Sequence, residues 1–255
     1  MAKTPGMHHR GMFTPEQRDR TRARLLAHAE ADAAIVGFAH TGSHATGTGD
    51  RWSDTDIVLA VRGDVVEAVG RWTAWIHDEL GARHHWDLGV GGASVIRVFL
   101  LPGWVELDLT FAPESEFGAR GPAWQTLFGT PHEQPPFAAP DRDTLIGHAW
   151  HHALHARICL ERGRSWQAAH WINALRDQLI TLACLRLNLP TAYSKGAHLL
   201  PAEVTTPLES TLIRSLTEPE LRRALTATIT ATATELDHSD PELSARLTPM
   251  LTELT

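Results

Sequence analysis

The first 80 residues contain two segments with helical spacing of apolar side chains, with short apolar runs between them. Thr14-Pro15-Glu16-Gln17 has the order of a helix start: threonine as N-cap, proline at the first helical position, glutamine closing a capping box. This helix is predicted to run to about Glu30. Apolar positions 65, 66, 69, 72, 76 and 80 predict a second helix that Gly81 ends. The runs between them predict buried strands at 34–39 and 55–61, separated by a glycine-rich loop at 40–53.

Beyond position 83 the apolar spacing alternates as in strands, and after position 140 it becomes helical again. Strands are predicted at 84–90, 94–101 and 104–111, the last two joined by Pro102-Gly103. The segment 113–140 is rich in proline and glycine, which predicts an irregular connection with a domain boundary near Pro140. Helices are predicted at 144–162, 166–187, 201–216 and 218–236, with a short tail helix. The predicted fold class is α+β: a mixed-sheet domain at 1–140 followed by an all-helical bundle domain at 141–255.

The charge balance of the chain disfavours a nucleic-acid partner. The 255 residues include 23 Lys and Arg against 30 Asp and Glu, a net charge of -7. Residues 1–140 alone contain 12 basic and 17 acidic side chains. Because nucleic-acid binders usually carry a clustered basic excess, a phosphate-bearing partner is expected to be held locally or through metal ions. A cationic small molecule is favoured by the same balance.

Cysteine usage and hydropathy indicate a cytoplasmic protein. Cys159 and Cys184 lie in apolar helical runs without metal-type spacing, so they are expected to be buried free thiols. The first eleven residues have no apolar signal core, and no run approaches the roughly 18 apolar residues of a membrane span. No membrane association is expected.

The segment that carries candidate chemistry is Gly42-Ser43, ten residues, then Asp54-Thr55-Asp56 before an apolar run. Side chains alternate along a strand, so Asp54 and Asp56 point the same way and can share divalent metals. Two adjacent carboxylates repel each other, and a hard cation such as Mg²⁺ relieves that repulsion. Gly42-Ser43 directly follows a strand, so its backbone N–H groups and the serine hydroxyl can meet a phosphate at a helix start.

A third carboxylate is expected on a neighbouring strand. The segment 105–111 alternates, with Val, Leu, Leu and Phe on one face and Glu106, Asp108 and Thr110 on the other. Asp108 is the better candidate, since Glu106 is expected to face solvent near the Pro-Gly turn. A P-loop ending and a Gly-x-Gly-x-x-Gly motif are both absent from the sequence, so any phosphate chemistry is assigned to the carboxylates.

With these residues in place, the sequence resembles the nucleotidyltransferase superfamily that includes DNA polymerase β, and more closely the aminoglycoside nucleotidyltransferases. The resemblance covers roughly residues 35–111 and is architectural beyond them. It implies that Asp54 and Asp56 are ligands of two Mg²⁺ ions. It implies that Asp108 is the third carboxylate, often glutamate in those enzymes, which contacts metal and activates the acceptor hydroxyl. Gly42, Ser43 and Ser53 would contact the nucleotide, and Arg176 and Lys195 are similar to the basic residues that such enzymes bring to the triphosphate.

The resemblance implies the transfer of AMP, or another nucleoside monophosphate, from ATP or another NTP to a hydroxyl group, with release of pyrophosphate. The favoured acceptor is a cationic aminoglycoside-type antibiotic, which implies a role in antibiotic resistance. One alternative is AMP transfer to a protein or to another small molecule such as a lincosamide. An alternative from a different class is a non-catalytic nucleotide sensor or an antitoxin-like binding protein.

Simpler structural interpretations remain open for several of these residues. Ser53 is also typical of a turn, and Lys195, followed by glycine, of a solvated loop. Arg176 could form an ion pair with Asp177 or Glu161, and Trp52 could contact a ligand or pack in the protein. Four histidines have helical spacing and lie opposite the apolar positions 146, 150, 154 and 158; they are His148, His151, His152 and His155. They suggest either a zinc site or a polar helix face.

Overall fold

The computed structural model describes residues 12–89 and 92–255. The chain forms two compact units, of which the first ends at Phe137 and the second begins at Ala138, three residues before the predicted boundary. The first unit is a mixed sheet with helices and the second is helical, which confirms the predicted α+β class. Within the described residues, no helix is both long enough and apolar enough to cross a membrane.

The elements of the first unit follow the predicted order closely. The predicted capping box at Thr14 is present, and Gly81 ends the helix Val65–Leu80 with a left-handed φ of 69°. The strand His84–Leu88 ends before the predicted end at Val90, which lies outside the described residues. The first eleven residues, with their expected lack of a signal core, also lie outside them. The helices are α1 (Pro15–Ala31), α2 (Gly42–Ala45) and α3 (Val65–Leu80); the strands are β1 (Ile35–Thr41), β2 (Thr55–Val61), β3 (His84–Leu88), β4 (Val95–Leu101), β5 (Val105–Pro113) and β6 (Trp124–Phe128).

Strand β6 corrects the prediction that 113–140 is wholly irregular. It lies at the sheet edge and pairs antiparallel with β1, with Phe128 opposite Phe38. A five-residue strand in a segment rich in proline and glycine has too little periodicity to be recognised, and its stability comes from this pairing. Two short 3-10 helices, Pro102–Trp104 and Glu114–Glu116, flank β5.

The sheet has the strand order β3-β4-β5-β2-β1-β6, and β2 and β5 are its parallel pair. One face packs against α1 and α3. Its buried side chains include Phe38, Ile57, Leu59, Phe99, Leu107, Leu109 and Phe111, with Leu25, Trp72 and Ile76 from the helices. On the opposite face, Phe117 covers the β1–β2 end of the sheet together with Ala39 and Ala60. Because side chains alternate along a strand, polar residues between the core positions of β2 and β5 face away from the helices.

The second unit is built from α4 (Arg142–Glu161), α5 (Ser165–Arg186), α6 (Ala202–Ser210), α7 (Glu218–Ser239) and α8 (Pro241–Thr252), with 3-10 helices at Ala192–Ser194 and Ala197–Leu199. Helix α4 buries a stripe of small residues, Ala149, Ala153 and Ala156, against the core. This corrects the predicted apolar face of α4, because Trp150 and Leu154 are exposed. Cys159 and Cys184 are buried free thiols, as predicted.

Helix α6 ends earlier than the predicted 201–216. Arginine side chains donate hydrogen bonds to the carbonyl groups at the end of this helix. Arg223 donates to Ser210 O and Leu212 O, and Arg176 donates to Thr211 O. These bonds satisfy the acceptors in a non-helical conformation, so the chain leaves the helix there.

Candidate functional site

Asp56 and Asp108 lie side by side on the sheet face that points away from α1 and α3. Strands β2 and β5 are parallel, and their register pairs Asp56 with Asp108 directly. Neighbouring strands are spaced about 4.8 Å apart, so the two carboxylates share one small region. Both residues are half-buried, whereas their neighbours Ile57 and Leu107 are fully buried on the other face. Asp54 is exposed just before β2, one residue ahead of the first paired position, and Glu106 is exposed on β5.

The Gly42 backbone lies directly against the Asp56 carboxylate. Gly42 has a φ of 64°, the left-handed region that favours glycine. A Cβ built there would overlap Oδ2 of Asp56 and lie 3.2 Å from its Cγ. The turn after β1 therefore needs glycine for its conformation and for this close approach, which brings Gly42 and Ser43 to the carboxylates.

The rest of the loop folds back onto Ser43. The Ser43 carbonyl accepts from the Thr48 N–H at 3.0 Å. A Cβ at Gly49 would lie in ordinary van der Waals contact with Ser53 Oγ at 3.6 Å and Ser43 Oγ at 3.7 Å, so both serine hydroxyls lie beside this glycine. The Ser53 hydroxyl accepts from Asp50 N at 2.9 Å and lies 3.2 Å from Asp50 Oδ1. Ser53 thus closes the turn before Asp54, which is the structural role that its sequence also allowed.

Arg18 of α1 holds the end of this loop, a role that sequence reasoning missed. Its Nη1 donates to the carbonyls of Asp50 and Ser53 at 2.8 and 2.6 Å. Arg18 is 7% exposed. The sequence shows only that Arg18 lies in a predicted helix. Its role could not be predicted without knowing that α1 reaches the loop and that the side chain is buried there.

His40 and His44 support the start of the loop from the helix side. Their rings meet edge-on at 4.5 Å, and His40 also contacts the ring of Phe38. Burial, together with smaller contributions from His44 and Arg22, lowers the pKa of His40 to about 4. His40 Nδ1 is buried without a hydrogen-bond partner among the residues described. The ring is therefore held neutral at physiological pH.

Trp52 has a half-exposed aromatic side chain two residues before Asp54. The side chain is 49% exposed, and the Arg51 guanidinium lies 4.3 Å from its ring centroid. The Trp52 backbone N–H donates to Asp50 Oδ1 at 2.8 Å. The ring is thus presented by a hydrogen-bonded turn and does not pack in the core.

Arg176 and Lys195 belong to the second unit. Arg176 donates to Asn173 Oδ1 at 2.7 Å and to Thr211 O at 3.3 Å, so its contacts differ from the ion pairs with Asp177 or Glu161 that its sequence suggested. Glu161 pairs instead with Arg157 and Arg222. Lys195 is exposed and follows the short helix Ala192–Ser194.

The four helical histidines pack on one another and on an aromatic ring. Trp171 of α5 lies 5.7, 5.1 and 5.2 Å from the rings of His151, His152 and His155, and His148 stacks on His152 at 5.7 Å. Burial and the neighbouring imidazoles lower the pKa of His152. Within residues 12–89 and 92–255, no group of three or more His, Cys, Asp or Glu is arranged to hold a metal ion.

Comparison with known proteins finds structural likenesses among solved structures. No protein-family model and no curated protein matches the chain. Among solved structures, the chain is similar to an aminoglycoside 6-adenyltransferase from Bacillus subtilis. The two chains are 15% identical with a TM-score of 0.39, over 90% of this chain and 95% of that one.

Proposed function

We propose that the chain is a metal-dependent nucleotidyltransferase that moves AMP from ATP to a hydroxyl group of a cationic small molecule. The observation that carries the proposal is the registered pair of Asp56 and Asp108, with the Gly42 backbone against the Asp56 carboxylate. Two neighbouring carboxylates beside a tight glycine turn form a site for a cation and the phosphate that it accompanies.

The donor set suits Mg²⁺. This ion takes oxygen ligands and is usually held by one or two carboxylates together with substrate phosphates, so it does not require three protein ligands. Asp54 and Asp56 would hold it, with Asp108 as the third carboxylate. When bound, Mg²⁺ neutralises charge on the phosphates and orients the reacting oxygens.

The chain's own residues would then position the two substrates. Gly42 lies against the Asp56 carboxylate and Ser43 follows it, so this loop would border the triphosphate. Asp108 accepts the proton of the acceptor hydroxyl while the hydroxyl oxygen forms a bond to the α-phosphorus. The bond between the α-phosphorus and the bridging oxygen breaks, and pyrophosphate leaves. We propose that Arg176 and Lys195 contact the triphosphate. Ser53 is a proposed nucleotide contact as well, through the turn that it closes.

Charge supports a cationic acceptor. Asp56, Glu106 and Asp108 lie on one sheet face and Asp54 directly precedes β2, in a unit with more acidic than basic side chains. Such a surface attracts an aminoglycoside-type polyamine and repels a polynucleotide. On this proposal the protein would confer resistance to the antibiotic that it modifies.

The test is mass spectrometry of an acceptor panel incubated with ATP and Mg²⁺. Kanamycin, streptomycin and lincomycin are the probes, and the expected product is heavier than one of them by one adenylyl group. The Asp54→Asn variant is expected to yield no product while keeping the circular dichroism and melting temperature of the wild type. ATP binding without a product from any probe would favour a nucleotide sensor, and turnover by Asp54→Asn at the wild-type rate would refute the metal assignment.

A further inference from the structure

Trp86 lies in the same row of the sheet as the two candidate catalytic carboxylates. It is the central residue of the edge strand β3 and is 51% exposed. Register pairs Trp86 with Val98, Val98 with Asp108, and Asp108 with Asp56. Directly paired residues share a face of a sheet, so the four side chains form one line across it.

The residues on either side of Trp86 fix its orientation. His77 of α3 directs Nδ1 at the Ala82 carbonyl, and its Nε2 lies 2.8 Å from Nδ1 of His85. Asp87 accepts two hydrogen bonds from Arg97, at 2.6 and 2.8 Å, and Arg97 also donates to Thr73 of α3. His85 and Arg97 are thereby tied to α3 on the helix side, and alternation directs the Trp86 ring to the opposite face.

The spacing of this row sets the size of what it can bind. Trp86 and Asp108 are two strands apart, which corresponds to about 10 Å at the usual strand spacing. Val98, which is 7% exposed, lies between them and offers little surface, so the contacts in this row fall on Trp86 and on the carboxylates. A molecule with one ring at Asp108 and a second ring at Trp86 spans this distance, whereas a single six-membered ring does not.

We propose that Trp86 is the platform on which the acceptor places a second, cationic ring, and that it selects multi-ring acceptors over single-ring ones. This inference rests on the proposed nucleotidyl transfer at Asp56 and Asp108. A tryptophan face attracts an ammonium group and the C–H face of a sugar. The carboxylates in the same row favour the same positive charge. Trp86 is a specificity residue on this view, because it lies too far from Asp108 to take part in the proton transfer.

The test compares Trp86→Ala and Trp86→Phe with Trp166→Ala, which removes an 80% exposed tryptophan from the second unit. For the probe that the wild type adenylylates, Trp86→Ala is expected to raise the acceptor KM about tenfold, with kcat and the KM for ATP within twofold of the wild type. Trp86→Phe is expected to keep most of the affinity, and Trp166→Ala all of it. Single-ring 2-deoxystreptamine is expected to react equally poorly with all four proteins.

Other outcomes separate this inference from the proposed function. Product formation by the wild type with an unchanged acceptor KM in Trp86→Ala would refute the platform and leave the transferase intact. A dimer in the wild type that becomes a monomer in Trp86→Ala would make Trp86 a contact between copies of the chain, which also refutes the platform. If the wild type modifies no probe, the platform is judged by binding: kanamycin or streptomycin must quench tryptophan fluorescence more in the wild type than in Trp86→Phe, and equal quenching overturns it.

Discussion

Asp56 of β2 and Asp108 of β5 are direct register partners across the one parallel strand pair described in the sheet. This pairing places like charges next to each other on a face where both residues are half-buried. Ionised carboxylates at this spacing repel each other, and a bound cation relieves that repulsion.

Replacing Asp56 by asparagine is expected to lower adenylyl transfer by about 100-fold or more, since charge stabilisation at a reacting phosphate depends on such groups. In metal-free buffer the melting temperature is expected to stay close to that of the wild type, because asparagine has nearly the size and shape of aspartate. Asp78→Asn, at an exposed position of α3, serves as the control for both readouts. A fall in melting temperature with unchanged turnover would mean that Asp56 is structural.

Gly42→Ala is expected to impair activity much more than Gly47→Ala. Both glycines have left-handed φ values, 64° and 69°, so each alanine costs about 1–2 kcal/mol in backbone strain. Only at Gly42 does the new Cβ collide with the Asp56 carboxylate, whereas around Gly47 there is open space. We expect similar losses of unfolding free energy from strain, with a further loss and at least a tenfold fall in kcat/KM in Gly42→Ala alone. Equal activity in the two variants would show that the contact with Asp56 does not matter.

Arg18→Gln is expected to lower the free energy of unfolding by about 2–3 kcal/mol, because two charge-assisted hydrogen bonds to loop carbonyls are lost. The KM for ATP is expected to rise, since the loop from Asp50 to Ser53 loses its anchor. Urea unfolding and steady-state kinetics measure the two effects. Arg20→Gln, an exposed position on the same helix, is the matched control and should change neither.

His40 is expected to make the protein less stable in mild acid. Its pKa is about 4 in the folded protein, where burial favours the neutral ring, and about 6.5 in the unfolded chain. The unfolded state binds the proton more readily, so stability falls as pH drops from about 6.5 to 4, by up to about 3 kcal/mol. His40→Phe removes this contribution and keeps an aromatic ring against Phe38. Urea unfolding of both proteins at pH 7.5, 5.5 and 4.5 measures the difference, and parallel pH profiles would contradict the assignment.

The elements that sequence predicted well are those whose side chains repeat over several turns or residues. The alternation at 105–111 placed Glu106 and Asp108 on the face opposite Leu107, as the burial of β5 confirms. Strand 55–61 and helix 65–80 have the predicted bounds, because an Asp N-cap and a left-handed Gly81 mark the helix ends. Local pattern and local structure agree in these segments.

What sequence could not supply depends on contacts between distant parts of the chain. The order of the strands in the sheet places Asp56 beside Asp108 and Trp86 in the same row. No local sequence pattern predicts this strand order. Arg18 is similar, because its partners are in a loop more than 30 positions away. On α4, alanines form the core face because α5 packs close to it. The larger apolar residues Trp150 and Leu154, which the spacing assigned to the apolar face, are exposed.

The second unit offers a test that is independent of the proposed activity. Arg186 donates two hydrogen bonds to Glu235, at 2.7 and 2.8 Å, and Glu235 is 4% exposed. Arg186→Met leaves that carboxylate buried without its guanidinium partner, which is expected to cost about 3–5 kcal/mol of unfolding free energy. The double variant Arg186→Met/Glu235→Leu removes both charges and is expected to recover most of the loss, as urea unfolding will measure. Failure of the second substitution to restore stability would mean that packing of the arginine stem, and not the buried charge, dominates at this position.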